Sequence, residues 1–177
     1  MRLLATSDTH YGEDEAADRA TRWLAERVAG SDADAFALVG DVAGAGTRDF
    51  RACLEAFEGF EGTKLVVPGN HDMWSDGPDS YRKYRRTLPE VAEDCGFHML
   101  DRGPVMVGDT AIIGNMGWYD YSFRDPSLDL TTADYRSKHM EGVGTWMDKV
   151  HVRWELTDEE FTAMCLRRLR RHYRQIH

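Results

Sequence analysis

Cysteine is scarce in this chain, and cations are outnumbered. Its 177 residues include only three cysteines, Cys53, Cys95 and Cys165, and 22 Lys and Arg against 31 Asp and Glu. The cysteines lie far apart, in odd number and without a CxxC pair, which argues against a disulfide framework and against thiolate ligation of a metal. They read as reduced thiols packing as small hydrophobes, and they point to a cytoplasmic setting. The formal charge of −9 repels polyanions, so a nucleic-acid partner is not expected. Long apolar runs are missing as well. None approaches the length that spans a bilayer, so no membrane partner is expected. The opening MRLLATSDTH turns polar by Ser7, too early for a secretory leader.

What is present suits a folded domain. With 42% hydrophobic residues the chain can bury a core, and residues 1–177 are expected to form a single domain. RLLAT reads as a short buried strand, followed by the polar loop SDTHYGEDE. Residues 15–29 carry Ala16, Ala20, Trp23, Leu24 and Val28 at helical spacing, and Gly30 ends that helix. A strand over 35–39, a helix near 48–58 and a strand over 64–68 follow. Strand and helix alternating in this way predict βαβ units in a parallel sheet, and so an α/β fold. The spacing then predicts a charged helix over 80–94, and FHML, PVMVG and TAIIG as strands joined by tight turns. After the aromatic loop NMGWYDYSFRD, periodicity is weak over 126–155. Thr157 and Glu160 then make a capping box for a final helix, with Phe161, Met164, Cys165, Leu169 and Tyr173 as its buried stripe. Its arginines, Arg167, Arg168, Arg170, Arg171 and Arg174, read as a solvated face suited to a helix C-terminus.

The first three strands end alike: in Asp8-Thr9-His10, in Gly40-Asp41, and in Gly69-Asn70-His71-Asp72. In an open α/β sheet, ligands bind at the carboxyl ends of the strands. Taken singly, each segment has an ordinary explanation, because Asp and Asn cap helices and close Asx turns. Those roles do not explain a candidate ligand at every one of three strand ends, or an imidazole at His71. The mixture of oxygen and nitrogen donors suits Mn, Fe or Zn.

SDTH, LVGDVAG and VPGNHD resemble, in order and spacing, the first three signature blocks of the calcineurin-like metallophosphoesterases. The resemblance covers roughly residues 1–75, and GWYDYSFRD is similar to a segment of some bacterial members. It implies a metallophosphoesterase-type βαβ sandwich, of which this chain would supply the N-terminal portion. It further implies that Asp8 and His10 bind one metal, that Asp41 bridges two, and that Asn70 binds the second. His71 would be the acid for the leaving oxygen or a stabiliser of transition-state charge. Asp72 would orient His71 or cap the following turn. The implied reaction is hydrolysis of a phosphomonoester or phosphodiester substrate by a hydroxide shared between two divalent ions, Mn, Fe or Zn. The family's later GH and GHxH blocks are absent, and His98, His139, His151, His172 and His177 stand in no such setting. The second metal site is therefore expected to be incomplete and activity weak or absent, with self-association through surface that a missing C-terminal part would expose. The alternative is a non-catalytic, metallophosphoesterase-like binding or scaffold protein. Trp118, Tyr119, Tyr121 and Phe123 are either core packing or a wall for a planar substrate group.

Overall fold

Short runs rich in Val, Leu, Ala and Phe, each closed by turn residues, form four parallel strands: β1 (Leu3–Thr6), β2 (Ala35–Val39), β3 (Thr63–Val67) and β4 (Phe97–Met99), adjacent in chain order. The computed structural model describes residues 1–75, 77 and 79–176, so His177 lies outside the described residues. Ala5 pairs with Ala37, Ala37 with Leu65, and Leu65 with His98. FHML thus departs from the expected series of tight turns. It is the fourth parallel strand, reached through a helical crossover, because a parallel neighbour cannot be reached by a hairpin.

Asp14 caps α1 (Glu15–Ala29), its Oδ1 accepting the amides of Ala16 at 2.7 Å and Ala17 at 2.8 Å. The buried stripe of α1 is Thr21, Ala25 and Val28, whereas Ala16, Ala20 and Trp23 face outward. Trp23 is covered by the Arg27 guanidinium 4.3 Å above its ring, so its apolar surface is shielded locally and does not enter the core. β1 is an edge strand with Leu3 and Ala5 exposed, which corrects the buried strand expected there. After α2 (Thr47–Ala56) and α3 (Asn70–Met73), the crossover runs from α4 (Ser80–Arg82) through a π-helical turn (Lys83–Thr87) into α5 (Leu88–Asp94).

Strand alternation sends Phe36, Leu38 and Val66 to one face, against Phe50, Leu54, Met73, Tyr84, Leu88 and Phe161. Ala35, Ala37, Leu65 and Val67 go to the other face. There Leu100 and the antiparallel hairpin of β5 (Val105–Val107) and β6 (Thr110–Ile112) pack on them. Beyond the aromatic loop come α6 (Thr132–Ser137), the two-residue strands β7 (His139–Met140) and β8 (Gly144–Thr145), α7 (Asp148–His151) and α8 (Asp158–Gln175). The capping box forms as expected, with Thr157 N donating to Glu160 Oε2 at 2.8 Å and Glu160 N to Thr157 Oγ1 at 3.2 Å. Phe161 and Cys165 are buried, but the stripe ends on His172, and Tyr173 is exposed. Nor is Arg168 solvated: it donates to the Tyr84 hydroxyl at 2.7 Å, which donates to Asp101 Oδ1 at 2.6 Å. That chain of bonds ties α8 to the crossover helix and to the end of β4. Among the described residues, no helix is long and apolar enough to cross a membrane.

The Tyr84 hydroxyl lies between a buried carboxylate and a guanidinium, so removing it strands both. Tyr84→Phe is expected to destabilise the fold by about 1–3 kcal/mol, read as a lowered urea midpoint with an unchanged m-value.

Candidate metal centre

Where β1 and β2 end, the chain adopts backbone conformations that L-residues avoid. Asp8 (φ 56), His10 (φ 43) and Asp41 (φ 46) are three of the five non-glycine residues with positive φ among those described. Such residues persist only where surrounding bonds hold them, and they concentrate at functional sites. Here the bonds are main-chain ones: Asp8 N to Gly40 O at 3.0 Å, His10 N to Asp41 O at 3.0 Å, and Gly40 N to Val67 O at 2.8 Å. The loops after three strands are thereby stitched together. Ligand-capable atoms of Asp8, His10 and Asp41 consequently lie within 4.8 Å of one another.

The loop after β3 approaches closely because of one missing side chain. A Cβ on Gly69 would sit 2.1 Å from Asp41 Oδ1 and 2.3 Å from Asp41 N, so only glycine fits. His71 N then donates to Asp41 Oδ1 at 3.0 Å. Asp72, 1% exposed, gathers three amides: Gly69 N at 2.7 Å and Val42 N at 3.1 Å on Oδ2, and Ala43 N at 2.9 Å on Oδ1. Burial pushes its carboxyl up to about 6, against the three amide bonds that pull it down. All three bonds go to main chain, so Asp72 has the capping geometry, and the His71 ring takes its partner elsewhere.

That partner is Glu13, which sequence reasoning did not single out. Its Oε1 lies 3.0 Å from His10 Nδ1 and 3.2 Å from His71 Nδ1, and the two rings meet edge to face at 4.7 Å. A carboxylate accepts only, so both rings carry their Nδ1 proton toward Glu13 and leave Nε2 free. Glu13 also makes a second group of ligand-capable atoms with His10 and His71. In SDTHYGEDE nothing separates Glu13 from the acids beside it. The left-handed turn at His10 brings it back.

Asn70 is held by another residue invisible in the sequence. Asp148, 1% exposed, accepts Asn70 Nδ2 at 3.0 Å and Trp74 Nε1 at 2.7 Å on Oδ1, and Tyr119 OH at 3.1 Å and Trp146 Nε1 at 2.9 Å on Oδ2. With its amide nitrogen so engaged, Asn70 has its oxygen left for another partner. Trp74 stacks between His71 at 3.8 Å and His151 at 4.6 Å, which places His151 behind an indole. His139 bonds Thr145 Oγ1 through Nδ1 at 2.8 Å. Neither joins the clusters above. Lys83 donates to the carbonyls of Ala45 at 2.7 Å and Trp74 at 2.8 Å, bringing a buried cation beneath the same loops. The aromatic loop splits: Trp118 packs on Trp154 and Phe161, Tyr119 and Tyr121 line a cavity, and Phe123 is exposed.

A family model described as calcineurin-like phosphoesterase matches residues 1–150. No curated protein matches the sequence. Among solved structures, the phosphopantetheinyl hydrolase PptH from Mycobacterium tuberculosis superposes with a TM-score of 0.76 at 19% identity, covering 98% of this chain and 63% of that one. At that identity the likeness shows the fold, and this chain spans about 63% of the neighbour's length.

Replacing Asp72 by Asn leaves one oxygen for three amides and turns an NH₂ toward donors. Asp72→Asn is expected to cost about 1–3 kcal/mol in a urea titration. Its effect should greatly exceed that of Asp79→Asn, an exposed helix cap.

Proposed function

Since this chain belongs to the calcineurin-like phosphoesterase family, we propose that it hydrolyses a phosphomonoester or phosphodiester at the edge where Asp8, His10, Asp41, Asn70 and His71 meet. The observation that carries this reading is the convergence of three left-handed strand-end residues on one small volume. Two carboxylates and an imidazole within 4.8 Å fit a divalent Mn, Fe or Zn ion. For a second ion, the chain offers the shared Asp41 and the amide oxygen of Asn70. When bound, such ions supply positive charge to the phosphoryl oxygens and acidify water.

The chain's own residues do the rest. Glu13, bonded to His10 Nδ1, would leave Nε2 as the nitrogen offered to an ion, the arrangement in which a carboxylate behind a ligating imidazole raises its basicity. The same carboxylate holds the Nδ1 proton of His71, so the proton exchanged with the leaving oxygen is the one on Nε2. Asp72 acts through the main chain, keeping Asn70 and His71 against Asp41. Trp74, stacked on His71, limits water on that side of the ring. The phosphopantetheinyl substrate in the neighbour's name suggests an ester with a sizeable organic leaving group.

A second reading, a binding protein with this fold, is favoured by one observation. Among the described residues, His139 and His151 both lie outside the ligand clusters, so neither adds an imidazole to Asp41 and Asn70 for a second ion. Titrating Mn²⁺ by calorimetry and assaying aryl phosphate monoesters and diesters separates the two. Asp41→Asn is expected to weaken metal binding at least tenfold, on the scale of lost metal contacts. His71→Ala is expected to lower kcat by about 10²–10⁴ without changing metal affinity. Glu13→Ala should lower kcat as well, and Glu13→Gln, which still offers an acceptor, should recover part of the loss. Hydrolysis that survives both Asp41→Asn and His71→Ala overturns the phosphoesterase reading. Metal binding without turnover supports the second.

A further inference from the structure

The aromatic loop, α6 and the β7–β8 hairpin line an open cavity of about 660 Å³. We propose that it is the subsite for the leaving group of the phosphate ester, and that it selects an uncharged, apolar, ring-sized group. The proposal rests on the phosphoesterase reading above.

The chemistry of the walls sets the ligand class. Tyr119, Tyr121, Tyr135, Trp146, Met140 and Val143 line the space, so aromatic ring faces and aliphatic groups dominate it. Four of the polar tips that border it are already paired. Tyr119 OH and Trp146 Nε1 donate to Asp148, while Tyr121 OH and the Lys138 ammonium donate to Asp158. Lys138 lies 4.7 Å from the Tyr119 ring, and its charge is matched by Asp158 2.9 Å away. The carboxylates of Asp134 and Glu141 stand on the same lining, so an anionic group would meet like charge there and a strongly hydrated one would give up its water shell for few open partners, while an apolar group would lose only unfavourable hydration. Val143, 79% exposed, and Trp146, 59% exposed, hold apolar surface at the rim that such a group would cover.

Position links the cavity to the reaction. The Asp148 carboxylate that holds Asn70 at 3.0 Å also holds Trp146 at 2.9 Å and Tyr119 at 3.1 Å. A single carboxylate thus separates an expected ligand from the cavity wall. An ester with its phosphate at Asp8, His10 and Asp41 would have its organic arm run over Asp148 to the aromatic rings. The size lies within the range of ordinary small-molecule sites.

The test uses the 177-residue chain with Mn²⁺ and four probes in calorimetry: 1-naphthyl phosphate, glycerol 3-phosphate, inorganic phosphate and 1-naphthol. The naphthyl ester is expected to bind about tenfold or more tighter than the glycerol ester, the scale set by burying one ring. Tyr135→Ala and Val143→Asp, neither of which removes a bond to Asp148 or Asp158, should each abolish that preference and leave inorganic phosphate binding unchanged. Asp41→Asn should weaken phosphate binding but keep 1-naphthol binding. If the phosphoesterase reading fails while the cavity assignment holds, 1-naphthol still binds wild type and is lost in Val143→Asp. Equal binding of the two esters overturns the proposal, as does a preference that survives Val143→Asp. A dimer in sedimentation that Val143→Asp dissolves, without any naphthyl preference, also overturns it by assigning this face to a second copy of the chain.

Discussion

The site depends on a carboxylate that never reaches it. Asp72 draws three amides from the loops after β2 and β3 onto one buried side chain. Without it, those three donors would be buried and unsatisfied, and the two loops would keep only the Gly40–Val67 and His71–Asp41 bonds between them. Their contact allows Gly69 to press against Asp41, and it sets the amide of His71 on the Asp41 carboxylate. A helix cap in the narrow sense, Asp72 is also the clamp that converts two separate strand ends into one ligand edge.

Two further acids repeat the device on a larger scale. Asp148 and Asp158, at the starts of α7 and α8, are both buried, and each takes donors from the aromatic loop. Asp148 additionally reaches Asn70 across 78 residues of sequence. The charge of −9 therefore does not all describe a surface field. Part of the acidic excess is internal framework, where carboxylates hold indoles, phenols and amides in place. Repulsion of a polyanion is correspondingly weaker near the cluster, where Lys83 also lies beneath the loops.

The strand ends were legible because a parallel sheet makes them so. Hydrophobic runs of the right length, closed by Asp-Thr-His, Gly-Asp and Gly-Asn-His-Asp, specify both the elements and the edge on which they converge. The capping box at Thr157 was legible for the same reason, since its two bonds are local. What escaped the sequence depends on partners distant along the chain or on backbone conformation. Glu13 gains its role only through the left-handed turn at His10. Asp148 lies in a stretch whose periodicity is weak because its side chains answer to the aromatic loop rather than to a helix face. FHML gave no sign of its parallel partner, because three residues carry too little pattern to distinguish a hairpin from a crossover. In α1 the expected stripe holds at Leu24 and Val28 but misses at Ala16, Ala20 and Trp23, and in α8 it holds from Phe161 to Leu169 and misses at Tyr173, since a 3.6-residue period admits neighbouring stripes until the sheet selects one.

The strained residues connect stability to chemistry. Left-handed backbone at Asp8, His10 and Asp41 costs on the order of 1–2 kcal/mol per residue, and the main-chain bonds between loops offset it. Placing strain and negative charge together makes the edge an expensive element of the bare fold, because Asp8 and Asp41 repel each other across a few ångströms. A divalent cation bound there would relieve the repulsion and gain from geometry already set, so its binding energy would go into affinity rather than into ordering loops. Glu13 belongs to the same logic. It gives two imidazoles held edge to face one shared acceptor, which leaves Nε2 on each ring as the nitrogen that could take an ion on His10 or, when protonated, give a proton on His71.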